Sequence, residues 1–237
     1  MKHHAVTPTF GAVVEGIDIA RLSPPLLAGL YALWQQRHVL VLRGQRGDRA
    51  TLEAFAQKLG EWETMAAPAA GETQWDAELS WAGRPPFACL LRSTEAREAQ
   101  GAMWFACLPA ALRSIAPDLV ARLRWLELQH GPNVHPLVVM QPETGEHTLY
   151  LGRRRDARIP DVSAQESERL LNIVWSYATA DAVTWRHRWQ PGDVVLWNNL
   201  TVLHRHEALP PDTPRALEGL RLKCRYTLAA PIQQEAA

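Results

Sequence analysis

The sequence lacks an excess of charge of either sign. Lysine and arginine together number 25, and aspartate and glutamate together also number 25. A protein without net charge has no long-range attraction for nucleic acid or for an anionic membrane surface. We therefore expect a small-molecule substrate or a protein as the partner, with no nucleic acid and no membrane.

Cysteines are scarce. The chain has three of them, Cys89, Cys107 and Cys224, at wide spacing. An odd number of widely spaced cysteines forms neither a disulfide framework nor a zinc signature, and is typical of reduced thiols.

Long apolar runs are also missing. No segment approaches the roughly 18 consecutive apolar residues of a membrane span, and the first residues contain no apolar core of a signal peptide. We expect a cytoplasmic location. The 237 residues suit one β-rich domain with flanking helices better than two enzyme domains, so we expect a single domain over residues 1–237.

Four helices are predicted from apolar residues at helical spacing or from residues typical of helix ends. One helix opens at Pro24 after Ser23, and another ends at Gly60. In the segment at residues 163–178, Ser163 is the expected N-cap and Glu166 completes a capping box. The predicted helices start at residue 24 and span residues 51–59, 109–128 and 163–178.

Short apolar or β-branched runs bounded by turn residues predict the strands. A segment rich in Ala, Pro and Gly at residues 66–71 predicts a loop. Several short strands among helices indicate a sandwich or barrel rather than a parallel sheet. The predicted strands are residues 10–18, 38–45, 75–81, 134–140, 147–152, 193–197, 201–204 and 220–228.

Three blocks spread over almost the whole chain resemble one family in their order and spacing. They are residues 10–18 with 38–45, residues 135–152, and residues 189–204, which run from Trp-Gln-Pro-Gly-Asp to His204. The family is the TauD/TfdA group, the taurine and 2,4-dichlorophenoxyacetate dioxygenases that use non-heme iron and 2-oxoglutarate. The resemblance implies a mainly β fold with flanking helices, a double-stranded β-helix of the jelly-roll, cupin-like kind.

The metal ligands of that family are a His-x-Asp pair on one strand and a distal histidine on a later strand, which leave open positions on iron. Residues i and i+2 of a strand point to the same face. In the matching segment Asp76 stands where the first histidine belongs and Glu78 where the carboxylate belongs, while His204 matches the distal histidine. The resemblance thus implies a divergent member with an atypical metal site at Asp76, Glu78 and His204.

The co-substrate site is inferred from the same resemblance. The family binds the distal carboxylate of 2-oxoglutarate with an arginine, whose planar fork suits the task. Arg225 is the best match, with Arg221 one strand register away and Arg215 as a substitute. The assisting threonine maps to Ala102, which has no hydroxyl. Fe(II) and 2-oxoglutarate are the implied cofactors.

Three functions stay open at this point. The first is an oxygenase that acts on a small molecule; two carboxylates and one imidazole would suit harder cations such as Mn, Mg or Ca. The second is a catalytically inactive pseudo-oxygenase that serves as a binding or partner subunit. The third is a metal-free acid/base enzyme in which mutual repulsion of Asp76 and Glu78 raises one pKa. A homo-oligomer, or a heteromer with an active homologue, is compatible with each.

Other polar residues are expected to be structural. His130, His135 and His147 lie outside the inferred set, and a lone histidine is more often hydrogen-bonded or solvated than a ligand. The run Arg153 to Arg155 is expected to be a solvated loop rather than a receptor for phosphate or carboxylate.

Overall fold

The computed structural model describes residues 1–66, 73–94, 101–210, 213, 216–224 and 228. The helices are α1 Pro24–Arg37, α2 Arg49–Leu59, α3 Leu108–Ser114, α4 Pro117–Leu123 and α5 Ala164–Ala178. The strands are β1 Lys2–Ala5, β2 Ala12–Glu15, β3 Val39–Leu42, β4 Trp62–Met65, β5 Ala88–Ser93, β6 Met103–Cys107, β7 Glu127–His130, β8 Asn133–Pro136, β9 Val138–Met140, β10 His147–Leu149, β11 Ala157–Arg158, β12 Thr184–His187, β13 Val194–Asn198, β14 Val202–His206 and β15 Leu217–Leu222.

One seven-stranded sheet dominates, in the order β1-β2-β3-β13-β5-β15-β4. Neighbouring strands in this sheet are antiparallel, except β2 and β3, which are parallel. Strands from the two ends of the chain alternate in the middle of the sheet, as jelly rolls require. Three smaller sheets, β12-β6-β14, β11-β7-β8 and β10-β9, complete the architecture.

Strand β3 shows why the large sheet is buried on both faces. Its four residues are all apolar and fully buried. Val39 and Val41 belong to the core shared with the small sheets, and Leu40 and Leu42 belong to the core shared with α1 and α2. Side chains alternate across a strand, so a continuous apolar run is the pattern of a strand covered on both sides.

The predicted fold class is confirmed, and several predicted elements are found with adjusted ends. Helix α1 begins at Pro24, Gly60 caps α2, and Ser163 caps α5 by accepting a hydrogen bond from Glu166 N. The reciprocal half of the predicted capping box is absent, because the Glu166 carboxylate pairs with Arg169 instead.

The predicted helix over residues 109–128 was wrong. The chain forms α3, then α4, then strand β7. Ile115 and Ala116 adopt extended backbone dihedral angles, and Pro117 disfavours the helical conformation of the residue before it. The apolar spacing continues across this break, which is why the pattern resembled one long helix.

The predicted strand over residues 75–81 was also wrong. Only Asp76 forms a bridge, and the chain then turns, with Leu79 at a φ of 51°. The predicted strand over residues 134–140 is two strands, β8 and β9. The loop predicted over residues 66–71 lies outside the described residues except for Ala66.

The remaining broad expectations concern thiols and membranes. None of Cys89, Cys107 and Cys224 forms a disulfide bond with another described residue. Within the described ranges, no helix has the length and apolar character needed to cross a bilayer.

Candidate functional site

A cavity of about 190 Å³ gathers the predicted site residues from distant parts of the chain. Asp76, Glu78, His204 and Arg221 all line it, so the resemblance located these four in one place. Its walls also contain residues outside the predicted set of site residues: Met65, Ala66, Gln74, Trp81, Leu91, Arg153, Trp197, Arg205 and His206.

The cavity is closed on one side by the backbones of Asp76 and His204. Asp76 N donates to His204 O at 2.9 Å, and His204 N donates to Asp76 O at 2.8 Å. This bridge extends the small β12-β6-β14 sheet by one residue, because β14 would otherwise be its edge. The two sites at which the family places histidines are therefore adjacent.

The turn after Asp76 is tied down by side chains from other elements. Asn199 Oδ1 accepts from Glu78 N at 2.7 Å, and Asn199 Nδ2 donates to Glu78 O at 2.9 Å. Further along, Asn133 Nδ2 donates to Trp81 O and His135 Nε2 donates to Ala82 O. These hydrogen bonds fix the backbone that carries the Glu78 and Trp81 side chains.

Asp76 is held by an arginine that we expected to be solvated. Arg153 Nε donates to Asp76 Oδ2 at 2.8 Å, and the Arg153 guanidinium carbon lies 5.5 Å from the centre of the Trp81 ring. Only Arg155 fits the predicted solvated loop, since its side chain is 68% exposed. Arg154 pairs with Glu168 and lies near Trp175. The expectation was therefore wrong for Arg153 and Arg154.

Glu78 is held by a second arginine. Arg221 Nη1 donates to Glu78 Oε1 at 2.9 Å, and Arg221 Nε lies 3.1 Å from Glu63 Oε1. Arg221 thus joins two carboxylates, one from the turn and one from β4, along a wall of the cavity.

His204 is enclosed by rings. The centre of its imidazole lies 5.1 Å from that of Trp197 and 5.9 Å from that of His206. Burial, and to a smaller extent the charge of Arg153, lowers the pKa of His204 to about 4. Its Nδ1 is buried and has no hydrogen-bond partner within the described part of the chain. His204 is consequently neutral near pH 7.

The contacts of Asp76, Glu78 and His204 show whether these residues suit a metal ion. Within the ranges that the structure describes, no three or more His, Cys, Asp or Glu side chains are arranged to hold a metal ion. Asp76 and Glu78 each bear an arginine partner, so these four charges sum to zero beside neutral His204. A divalent cation would meet three guanidinium groups, those of Arg153, Arg205 and Arg221, which repel it. The arrangement does not fit Fe(II), and the metal role of the three residues stays a prediction.

The co-substrate residues are placed less completely. Arg225 and Arg215 lie outside the described residues. Arg221 lines the cavity but is engaged by Glu78 and Glu63. Ala102 is buried, and its N donates to Glu207 Oε2 at 3.0 Å. It is not among the described residues that line the cavity.

The three histidines expected to be structural have such contacts. His130 Nε2 donates to Arg153 O at 3.3 Å, His135 donates to Ala82 O at 2.9 Å, and His147 Nδ1 lies 3.2 Å from an Arg124 nitrogen. Burial lowers the pKa of His130 and of His135. His130 thus supports Arg153 and His135 supports the turn, while His147 lies beside Arg124.

Comparison with known proteins agrees with this fold. Residues 2–221 match the family described as taurine catabolism dioxygenase TauD, TfdA family. The chain belongs to this family.

Relatives with assigned names come from bacteria and yeast. The chain is 28% identical to the (S)-phenoxypropionate/alpha-ketoglutarate-dioxygenase of Sphingobium herbicidovorans, over 83% of this chain and 86% of that one. It is 23% identical to the alpha-ketoglutarate-dependent sulfonate dioxygenase of Saccharomyces cerevisiae, over 93% of this chain and 69% of the other.

Solved structures share the TauD/TfdA architecture. A crystal structure of AAD-2 in complex with Mn(II) and N-oxalylglycine superposes with a TM-score of 0.89 at 21% identity, covering 96% of this chain and 99% of the other. A taurine dioxygenase from Burkholderia xenovorans superposes with a TM-score of 0.86 at 26% identity, covering 98% and 93%.

Proposed function

We propose that this chain is a small-molecule-binding member of the dioxygenase family that holds a small organic acid in its cavity without Fe(II). The observation that carries the proposal is the pairing of both carboxylates with arginines, Asp76 with Arg153 and Glu78 with Arg221. A carboxylate engaged by a guanidinium has a cation already, and a second cation at the same oxygen atoms is repelled.

Two observations support an acid as the ligand. Guanidinium groups are the preferred protein receptors for carboxylates because of their fixed fork of donors, and three of them, Arg153, Arg205 and Arg221, line the cavity. The relatives are named for phenoxypropionate and sulfonate chemistry and for alpha-ketoglutarate, all of them anionic compounds. The cavity volume of about 190 Å³ is that of about six water molecules, so the ligand is small.

The test is calorimetry with N-oxalylglycine and with 2-oxoglutarate, each titrated once in the presence of EDTA and once with Mn(II). The proposal predicts the same affinity for an acid in both buffers. Binding that requires Mn(II) would contradict the proposal, and so would a failure to bind in both buffers. Arg221→Gln, which removes one receptor group while leaving Asp76 and Arg153 in place, is expected to weaken binding about tenfold or more, the loss of one charge-assisted contact.

A second candidate is oxygenase chemistry on a small molecule with Asp76, Glu78 and His204 as an atypical metal site. It is favoured by His204, whose buried imidazole is neutral, the form in which histidine binds metals. This candidate predicts oxygen consumption that needs both Fe(II) and 2-oxoglutarate and that disappears in His204→Ala. Oxygen consumption that is absent in wild type, or unchanged in His204→Ala, rejects it.

A metal-free acid/base enzyme is not supported by the contacts. It required Asp76 and Glu78 to repel each other, whereas each lies against its own arginine. Compensated carboxylates do not provide the unequal pair of groups on which such chemistry depends.

A further inference from the structure

Contacts on two sides fix the guanidinium of Arg153. Its Nε donates to Asp76 Oδ2 at 2.8 Å, and its guanidinium carbon lies 5.5 Å from the centre of the Trp81 ring. The Arg153 backbone is held as well, because its carbonyl accepts from His130 Nε2 at 3.3 Å. The side chain is only 27% exposed.

The residue before Arg153 shows that this position is built into the fold. A Cβ atom on Gly152 would lie 2.2 Å from Ser80 Oγ and 2.5 Å from His130 Cε1. Only glycine lets the backbone pass this close to the turn that follows Asp76. The close passage places Arg153 beside the Asp76 carboxylate.

Asp76 in place of the family's histidine puts a negative charge at a buried position, and the Arg153 guanidinium compensates that charge. A neutral imidazole is a stable occupant of a buried position, but a buried carboxylate needs a compensating cation. In the family motif the metal stands next to this position. Here Asp76 is 7% exposed, and the nearby cation is an arginine, which carries its charge at every physiological pH.

We propose that the Arg153 guanidinium takes the place of the metal ion: it is the resident cation that neutralises Asp76 beside His204, and it excludes a divalent cation from the cavity. This inference rests on the proposed metal-free function and names the residue responsible for it. Arg153 acts as a positioning and charge-compensating residue.

The test is the substitution Arg153→Gln, which removes the charge and keeps a polar side chain. The cavity then has one positive charge fewer beside Asp76 and Glu78, so its affinity for Mn(II) is expected to rise about tenfold or more. The affinity is followed by the loss of the free Mn(II) paramagnetic resonance signal. The matched control is Arg155→Gln two residues away, whose exposed side chain lies 3.4 Å from Asp156. It is expected to leave Mn(II) affinity unchanged.

A second measurement does not depend on metal. Thermal unfolding of Arg153→Gln, Asp76→Asn and the double variant forms a double-mutant cycle. Each single variant leaves one charge without its partner, so the fall in Tm of the double variant is expected to be smaller than the sum of the two single falls. Additive falls in Tm would overturn the proposal, even where Arg153→Gln alone is too unstable for titration.

The outcomes separate this inference from the proposed function. If wild type binds Mn(II) as tightly as Arg153→Gln does, the metal-free function and the role of Arg153 both fail. If wild type binds N-oxalylglycine in EDTA, but Arg153→Gln folds and gains no Mn(II) affinity, the function stands and the role of Arg153 is overturned. A gain in Arg153→Gln that is absent from Arg155→Gln supports both.

Discussion

Asp76 and His204 form a reciprocal backbone bridge, in which the N of each donates to the O of the other at 2.9 and 2.8 Å. The bridge lies at the end of β14 and brings together two segments far apart in the sequence. The identity of residue 76 matters for the site, because Asp76 and His204 line the same cavity. The carboxylate at this position pairs with Arg153, whose Nε donates to Asp76 Oδ2 at 2.8 Å.

Replacing Asn199 with alanine is expected to destabilise the fold at the turn that carries Glu78. Asn199 is 1% exposed and its side chain also donates to Pro86 O at 2.9 Å. The substitution leaves several buried backbone groups without partners, at a cost of about 3 kcal/mol in the free energy of unfolding. Urea unfolding measures it. Asn133→Ala is the control, because it removes a single hydrogen bond, to Trp81 O, that is more exposed to solvent. It is expected to cost about 1 kcal/mol. Equal costs would show that Asn199 has no special role.

Gly152→Ala is expected to displace Arg153 and to lower stability by about 2 kcal/mol or more, as overpacking does. The added Cβ would overlap Ser80 and His130. Gly29→Ala is the matched control: Gly29 is exposed in α1, and the nearest atom to an added Cβ is Met1 Cε at 3.9 Å. That substitution is expected to stabilise the protein by about 0.5 to 1 kcal/mol. Both are measured by chemical unfolding, and a Gly152→Ala protein as stable as wild type would contradict the packing described.

Stability is expected to fall as the pH drops below 6.5. Burial lowers the pKa of His204 to about 4 and also lowers the pKa values of His38, His130 and His135 from 6.5. Between those values the unfolded chain binds more protons than the folded chain, so the free energy of unfolding decreases with decreasing pH. His204 alone contributes about 3 kcal/mol across the window from pH 6.5 to 4.

The pH effect is checked by urea unfolding at a series of pH values in wild type and in His204→Gln. The variant is expected to show a shallower fall over pH 6.5 to 4. Glu166 and Glu207, whose pKa values are lowered to about 2 by arginine partners, lose their contribution only below pH 4.5. Parallel curves for the two proteins would show that His204 is not the source.

Local patterns predicted the parts of the fold that local chemistry determines. The sequence predicted both Ser163 as an N-cap and the all-apolar run of β3 as a strand, because capping and alternation act within a few residues. The break at Pro117 and the turn at Leu79 were missed, since the apolar spacing continued through the first and Leu79 depends on hydrogen bonds from distant residues.

Only part of the candidate site could be predicted from the sequence, for the same reason. The family motif located Asp76, Glu78 and His204, and the cavity confirms that they lie together. Arg153 was missed because it belongs to a run of three arginines that has the composition of a solvated loop. The informative signal was Gly152 before it, whose lack of a side chain allows the close approach to Ser80.

The central claim is that arginine, not a metal ion, provides the cation of this site. The most direct measurement is calorimetric titration of Mn(II) into metal-stripped wild type and into Asp76→His/Glu78→Asp, which restores the residue types of the family motif. We expect no measurable binding to wild type and binding to the restored variant that is lost when His204 is also changed to alanine. Mn(II) binding to wild type with an affinity equal to that of the restored variant would contradict the account.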